Sequence, residues 1–154
     1  MELLFFDRLC AALDIVDVKN PDQASPLVLA FVGDTIFDLA VRTLLIETHD
    51  ATMQNLHRMS SARVRAAAQA QAGQAVFPLL DEPEQAVFLR GRNAKSGTIP
   101  KHASLEDYSM ATALECLIGW LFLSGQEERM LALLQVALQH QPADVISVKR
   151  PFRP

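Results

Sequence analysis

Two apolar helical runs, each carrying an acidic residue among apolar neighbours, constrain this chain more than any other feature. Asp34 lies within the run 26–40, and Glu115 is the only charged residue of the run 110–123. Burial of an unpaired carboxylate costs several kcal/mol, so such groups are usually paired or bind a metal ion. Both runs have helical spacing and no strand pattern stands out elsewhere, which predicts an all-α fold of about six or seven helices.

Capping residues predict where the longer helices begin and end. Ser25 followed by Pro26 is a typical helix start, and this helix should continue to about Glu47. The acidic residues around Pro83 complement the helix dipole and open a helix that ends near Arg92. The other predicted helices are 2–13, a short one from Asp50 or Thr52 through Met59, one from Ser60 or Ser61 through about Phe77, one from Ser104 to near Ser124, and 126–140.

The length and composition suit one domain in a reducing compartment. The 154 residues can bury a usable core. We predict a single domain over 1–140 and a disordered, proline-containing tail over 141–154. The amino terminus does not follow the pattern of a signal or transit peptide, and the run around Glu115 is too short for a membrane span. Cys10 and Cys116 lack metal-site or disulfide-scaffold spacing, so a cytoplasmic location is expected.

The two carboxylates admit both a structural and a functional interpretation. Gly33 and Asp34 could mark a helix break at which Asp34 caps a new helix, and Glu115 could form a buried salt bridge with an arginine. Alternatively, the two carboxylates could share one cation, since Mg²⁺ prefers oxygen ligands and often keeps several waters. Asp38 follows Asp34 at i+4 on the same helical face, where it could support the cation or simply be solvated.

The chain is acidic overall but contains a basic segment. The formal net charge is −4, whereas residues 58–101 hold seven basic and three acidic residues, a net charge of +4. The stretch 90–101 combines bases, an amide and hydroxyls with glycines and has no acid, which suits contacts with phosphate and ribose oxygens. An ordinary solvated loop is the alternative. The candidate substrate-binding residues are Arg90, Arg92, Asn93, Lys95, Ser96 and Lys101.

Three motifs, in order, resemble those of the ribonuclease III family. The segment 29–38, Leu-Ala-Phe-Val-Gly-Asp-Thr-Ile-Phe-Asp, resembles the family's signature helix, and 114–123, Leu-Glu-Cys-Leu-Ile-Gly-Trp-Leu-Phe-Leu, resembles its second acidic helix. The short branch without a double-stranded-RNA-binding domain, Mini-ribonuclease III, is similar in further motifs. These are Arg90-Gly-Arg-Asn-Ala-Lys-Ser96, Leu56-His57, Ser61-Ala62 and Ala68-Gln69-Ala70. The resemblance covers about residues 25–138.

This resemblance implies an all-helical homodimer that cleaves double-stranded RNA with Mg²⁺ and leaves 5′-phosphates. It also implies maturation of the large-subunit (23S) ribosomal RNA precursor in a bacterial cytoplasm or a plastid, with no nucleotide cofactor and no membrane. By position, Asp34 and Glu115 match the family's catalytic, metal-binding carboxylates. Two further acids of the family are replaced by Ala30 and Thr112. The number of metal ions therefore stays open, and Thr112 joins Asp38 as a candidate supporting residue.

Two other classes of function compete with this interpretation. One is a catalytically inactive RNA-binding or ribosome-associated module on the same fold, against which the retention of Asp34 and Glu115 argues. The other is an all-α interaction protein in which both carboxylates form buried salt bridges. That class would leave the acid-free stretch 90–101 unexplained.

Overall fold

The computed structural model describes residues 2–95, 98–99 and 101–141. These residues form seven α-helices and no strand, which confirms the predicted all-α fold. The helices are α1 Phe5–Ala12, α2 Pro26–Thr48, α3 Met53–Val64, α4 Ala66–Val76, α5 Glu82–Arg92, α6 Leu105–Leu123 and α7 Glu127–Gln139. Short 3₁₀ turns, Pro21–Gln23 and Phe77–Leu79, precede α2 and α5. The predicted disordered tail lies outside the described residues from residue 142 onward.

Side-chain caps define the starts of the helices that build the candidate site. The Ser25 hydroxyl accepts a hydrogen bond from the Val28 amide at 3.4 Å, and Ser104 caps α6 in the same way. Asp81 and Glu84 form a reciprocal capping box at the start of α5, with both bonds at 2.9 Å. These starts are the ones that the sequence predicts, because each depends on a short local pattern.

The boundary between α3 and α4 differs from the prediction, which ended one helix at Met59 and began the next at Ser60 or Ser61. The chain stays helical through these serines, because the Ser60 hydroxyl donates to the His57 carbonyl at 3.1 Å and does not cap a helix. The break comes at Arg65 instead, whose extended backbone (φ −64°, ψ 154°) ends α3 and begins α4.

The central helix of the fold is α6. It packs against α2, α4, α5 and α7, and Leu114, Leu117 and Leu121 along its length are each at most 1% exposed. A helix that is apolar on nearly every face belongs in the interior, so the other helices form a layer around it. Neither α6 nor any other described helix combines the length and hydropathy needed to cross a membrane.

Glycines allow α2 and α6 to cross with their backbones in contact. A Cβ atom at Gly33 would overlap the Glu115 carbonyl and would lie 2.9 Å from the Gly119 nitrogen. A Cβ atom at Gly119 would in turn overlap the Leu29 carbonyl. Side chains normally hold packed helices apart. Their absence at this crossing brings α2 directly onto the turn of α6 that carries Glu115.

An ion pair between a buried glutamate and a partly exposed arginine joins α5 to α7. Glu84 is 1% exposed, and its two carboxylate oxygens accept hydrogen bonds from Arg129 Nε at 2.8 Å and Nη2 at 2.9 Å. Arg129 also donates to the Leu79 carbonyl at 2.8 Å. The hydrogen bond from Arg129 is the main reason that the pKa of Glu84 lies below its ordinary value, although burial acts in the opposite direction.

Candidate active site

The crossing of α2 and α6 places the two predicted carboxylates next to each other. Gly33, the neighbour of Asp34 in α2, contacts the backbone of Glu115 in α6. The helix α2 is continuous through these residues, so the interpretation of Asp34 as the cap of a new helix is wrong. The charge of Asp34 is close enough to raise the pKa of Glu115. Two residues that are distant in sequence thus form one acidic site.

Asp34 is exposed in the single chain, which corrects the expectation of a buried carboxylate. Nearby protein atoms nevertheless desolvate its side chain and raise its pKa, and the charge of Asp38 raises the pKa further. The expectation was wrong because the apolar neighbours of Asp34 do not all face the core, and Phe31 is 80% exposed. A substrate therefore has direct access to Asp34.

Glu115 is partly buried and has no cationic partner among the described residues. Burial, and next the charge of Asp34, raise the pKa of Glu115 from 4.5 to about 8, against an opposing effect of the Gln69 amide. The structural alternative, a buried salt bridge to an arginine, is not found within the described chain. A carboxyl group that is costly to ionise and lacks a compensating partner is a candidate for function.

Gln69 of α4 is the third polar residue of the site, and the sequence singled it out only as part of the family motif Ala68-Gln69-Ala70, without a role. Its side chain is 1% exposed, and its Nε2 atom has no hydrogen-bond partner among the described residues. The amide still favours the ionised form of Glu115, so it faces that carboxyl without completing a hydrogen bond of good geometry. The sequence signal was weak because α4 also carries Gln71 and Gln74, which are both exposed.

The two candidate supporting residues already have partners. Asp38 forms an ion pair with Arg42 one turn further along α2, with 3.0 Å between Oδ2 and Nε. The Thr112 hydroxyl donates to the Tyr108 carbonyl at 2.9 Å, which leaves its oxygen able to accept. Support of a cation by either residue stays a prediction.

The donor set fits a hard divalent cation with few protein ligands. Asp34 and Glu115 supply carboxylate oxygens, and a cation between them would relieve their mutual repulsion. The described residues contain no group of three or more histidine, cysteine or acidic side chains arranged to hold a metal. A cation at this pair would therefore keep several waters as ligands, as Mg²⁺ usually does.

The predicted substrate-binding residues lie at the end of α5 and in the stretch that follows. Arg90, Arg92, Asn93 and Lys95 are all exposed, and the first two occupy the last turn of the helix. Arg90 also donates to the Ala24 carbonyl at 3.1 Å, so it helps to hold the segment before α2. The remaining predicted residues are Lys101, which is exposed, and Ser96, which lies outside the described residues.

A glycine brings this basic segment close to the acidic pair. A Cβ atom at Gly91 would lie 2.7 Å from the Cβ atom of Cys116, so α5 packs directly on the turn of α6 that contains Glu115. Arg90 and Arg92 flank this contact in the sequence. The turn of α5 that carries the two arginines therefore packs on the turn of α6 that carries Glu115, which suits a phosphodiester substrate.

A large apolar groove of about 1180 Å³ borders α2 on the side next to the site. Its lining includes large apolar side chains that are exposed in the single chain, Phe5, Phe31, Leu39 and Leu131. Thr35, which follows Asp34, lines the same groove. Exposed apolar surface of this extent marks an interaction site. A molecule that covers the groove would also approach Asp34.

Residues 27–126 match the family described as the ribonuclease III domain. The matched region runs from the first turn of α2 past the end of α6 and contains both carboxylates and the basic end of α5. The chain therefore belongs to the ribonuclease III family.

Bacterial relatives agree with the short branch that the motifs indicated. The Mini-ribonuclease 3 of Brevibacillus brevis is 44% identical over 119 residues, which cover 77% of this chain and 89% of that protein. The Mini-ribonuclease 3 of Symbiobacterium thermophilum is 42% identical over 120 residues, covering 78% of this chain and 92% of that protein. The X-ray structure of a Fusobacterium nucleatum protein, 29% identical, superposes with a TM-score of 0.71 and covers 79% of this chain and 97% of that one.

Proposed function

We propose that this chain is an endoribonuclease that cleaves double-stranded RNA by metal-assisted hydrolysis. The observation that carries the proposal is the adjacent pair Asp34 and Glu115, in which Glu115 lacks a cationic partner within the described chain. Membership of the ribonuclease III family and the Mini-ribonuclease 3 names of the relatives support this activity.

Asp34 and Glu115 would hold Mg²⁺ through carboxylate oxygens. Glu115 must give up its proton to act as a ligand, because carboxyl groups bind metals in their ionised form. When bound, the cation supplies a polarised water as nucleophile and stabilises the negative charge on the leaving 3′-oxygen. Asp34, at the accessible end of the pair, would face the scissile phosphate. The products would keep their 5′-phosphates.

The basic segment would position the RNA. Arg92 and Lys95, and with them Arg90, Asn93, Ser96 and Lys101, would donate to phosphate and ribose oxygens. A-form RNA exposes its 2′-hydroxyls in a wide minor groove, so recognition would be mainly by shape. Contacts of this kind release counterions, and the affinity should fall steeply as salt increases.

The apolar groove supports a homodimer as the active form. Phe31 projects from α2 and is 80% exposed beside the groove. In a two-fold interface each copy presents the same patch, so the Phe31 side chain of each copy would be covered by the other. Because Asp34 lies beside this patch, dimerisation would bring two acidic pairs to one face, one for each RNA strand.

The resemblance to the Mini-ribonuclease III branch supports a natural substrate, the precursor of large-subunit ribosomal RNA. We place the enzyme in the bacterial cytoplasm and assign the catalytic domain to residues 1–140. Neither a nucleotide cofactor nor a membrane is part of this proposal.

A cleavage assay on long double-stranded RNA tests the activity. We expect fragments with 5′-phosphates only when Mg²⁺ is present. Asp34→Asn keeps the side-chain volume but removes the charge, and should lower turnover at least about a thousandfold with the fold intact. Wild-type turnover in this variant would show that Asp34 is not a catalytic residue. A wild-type protein that binds the RNA but never cleaves it would favour the inactive module.

A double variant, Arg92→Ala with Lys95→Ala, tests the proposed RNA contacts. The slope of log affinity against log salt should fall by roughly one for each phosphate that is no longer neutralised, because fewer counterions are released. Binding is measured in Ca²⁺, which should limit cleavage, between about 50 and 200 mM salt. Arg8→Ala with Lys19→Ala removes the same charge from exposed positions elsewhere and is the matched control. Equal slopes in both double variants would show that this segment does not contact the RNA.

A further inference from the structure

The buried amide of Gln69 belongs neither to the carboxylate pair nor to the basic segment. Its Nε2 atom is a donor without a hydrogen-bond partner in the described part of the chain, and the side chain is 1% exposed. Buried donors without partners are rare in folded proteins, because each of them carries a desolvation penalty. A donor of this kind beside a candidate active site therefore requires an explanation.

The packing of α4 on α6 determines the direction of Gln69. A Cβ atom at Gly73 would lie 3.3 Å from the Met110 carbonyl and 3.7 Å from Leu114 Cβ, so this face of α4 lies on α6. Residues four apart share one helical face, so Gln69, one turn before Gly73, faces α6 as well. The Glu115 carboxyl is on α6, and the Gln69 amide acts to lower its pKa against the larger effect of burial, which fits an amide directed toward that carboxyl.

We propose that Gln69 is a positioning residue that holds the Glu115 carboxylate in the orientation needed to bind a divalent cation, an inference that rests on the proposed function. A carboxylate that binds a cation through one oxygen leaves the other oxygen free to accept a hydrogen bond. Nε2 of Gln69 is the buried donor placed to supply that bond. Hydrogen bonds of this kind orient metal ligands, and their loss typically lowers metal affinity or activity about 10–100-fold.

A packing role alone does not require an amide at this position. Methionine has a similar length and volume and would fill the space between α4 and α6 without a donor. The two interpretations therefore differ in what they predict for a variant that keeps the volume of Gln69 and removes its polarity.

Gln69→Met separates the two interpretations. We expect its Mn²⁺ affinity, measured by titration of the protein without RNA, to fall about 10–100-fold, with a parallel fall in kcat. The melting temperature in metal-free buffer should stay the same or rise, because a buried polar group without a partner has been removed. Wild-type Mn²⁺ affinity, with or without a lower melting temperature, would overturn the proposal.

Two further variants complete the test. Gln71→Met, on the exposed side of the same helix, is the matched control. Its Mn²⁺ affinity, kcat and melting temperature should be those of the wild type. Gln69→Asn keeps an amide, but its side chain is one methylene group shorter, so the amide lies further from Glu115. It should lose Mn²⁺ affinity as Gln69→Met does, and it decides the outcome if the methionine variant does not fold. Wild-type affinity in Gln69→Asn would then overturn the proposal.

Titration of the wild type and of Glu115→Gln in parallel distinguishes failure of the cation site from failure of the Gln69 role. If the wild type binds no Mn²⁺, the proposed cation site and the role of Gln69 both fail. If the wild type binds Mn²⁺ and Glu115→Gln does not, normal binding by the Gln69 variants would overturn the Gln69 inference alone.

Discussion

Glu84 and Glu115 are two glutamates on helices that pack around the same core, but the protein balances the charge of only one of them. Glu84 is 1% exposed, yet its pKa is lowered, chiefly because Arg129 donates two hydrogen bonds to it. The pKa of Glu115 is raised to about 8, because no cation within the described chain offsets its burial. Burial acts to raise the pKa of both glutamates, and only at Glu84 does an arginine partner reverse that effect.

The two glutamates are also placed by different kinds of contact. Glu84 is fixed by its own side chain, through the capping box with Asp81 and the ion pair with Arg129. Glu115 is placed through its backbone, which touches α2 at Gly33. The Glu115 side chain therefore has no cationic contact within the described chain, whereas that of Glu84 holds α5 to α7.

The largest expected difference between the two glutamates is in cleavage. Glu115→Gln should lower turnover at least about a thousandfold, because the neutral amide cannot hold the cation as a carboxylate does. Glu84→Gln should leave the turnover of the folded protein unchanged. Both are measured on long double-stranded RNA in Mg²⁺.

A combined variant tests whether the acidic pair acts as a unit. Asp34→Asn together with Glu115→Gln should be no slower than either single variant, because residues that hold one cation are not additive. Two outcomes would indicate that Glu115 is a structural residue like Glu84. One is a double variant whose loss of turnover equals the two single losses combined. The other is a Glu115→Gln variant with a lower melting temperature and near-normal turnover.

Gly33→Ala tests the backbone contact that places Glu115. The new Cβ atom would overlap the Glu115 carbonyl, and we expect a loss of stability of at least about 3 kcal/mol, with α2 displaced from α6. Urea denaturation followed by circular dichroism measures this loss. Gly73→Ala is the matched control, because its Cβ atom would come no closer than 3.3 Å to a neighbour. A similar stability in the two variants would contradict a backbone contact at this crossing.

Glu84→Gln should lower the stability by about 2 kcal/mol, since hydrogen bonds that involve charged groups contribute on that order. The same denaturation experiment on Glu115→Gln should show no such loss in metal-free buffer, because Glu115 has no cationic partner to lose. Equal losses in the two variants would erase the distinction between the two glutamates.

Helix starts were predictable from the sequence where a short local pattern determines them. Ser25 before Pro26 and the acids around Pro83 correctly indicated the starts of α2 and α5. The start of α4 was missed, because Ser60 has the residue type of a cap but donates to a carbonyl within α3. A hydroxyl can serve either purpose, and the sequence alone does not distinguish them.

The acidic pair was predictable because each carboxylate stands out in an apolar run, and the family resemblance pointed to the same two residues. The partners of the carboxylates were not predictable. A buried salt bridge is one interpretation of Glu115 from sequence, but Arg129 of α7 forms such a bridge with Glu84, and only the packing of α5 on α7 reveals that pairing. Gln69 was not predictable for the same reason, since its role depends on the face of α4 that meets α6.

The two glutamates should also differ in the pH dependence of stability without divalent cations. The pKa of Glu115 is raised from 4.5 to about 8, so its contribution to stability is present at low pH and is lost as the pH rises toward 8. The pKa of Glu84 is lowered, so its contribution is lost only as the pH falls below the ordinary range of a glutamate. One proton changes the stability by at most about 1.4 kcal/mol per pH unit.

Melting temperatures of the wild type and of Glu115→Gln, measured in EDTA from about pH 5 to pH 8, check this dependence. The wild type should lose stability toward pH 8, and the variant should lose less. Mg²⁺ should reduce the decline in the wild type. A decline of equal size in both proteins would show that Glu115 does not titrate in this range.

The crossing of α2 and α6 also determines when the site can form during synthesis of the chain. The crossing joins Gly33, early in the chain, to Glu115 and Gly119, late in the matched domain. A nascent chain on the ribosome that has released α2 but not α6 carries Asp34 without Glu115 and has no central helix to fold around. The acidic pair therefore assembles only after most of the domain has been translated. Until then, the growing chain lacks the paired carboxylates at which a cation could bind.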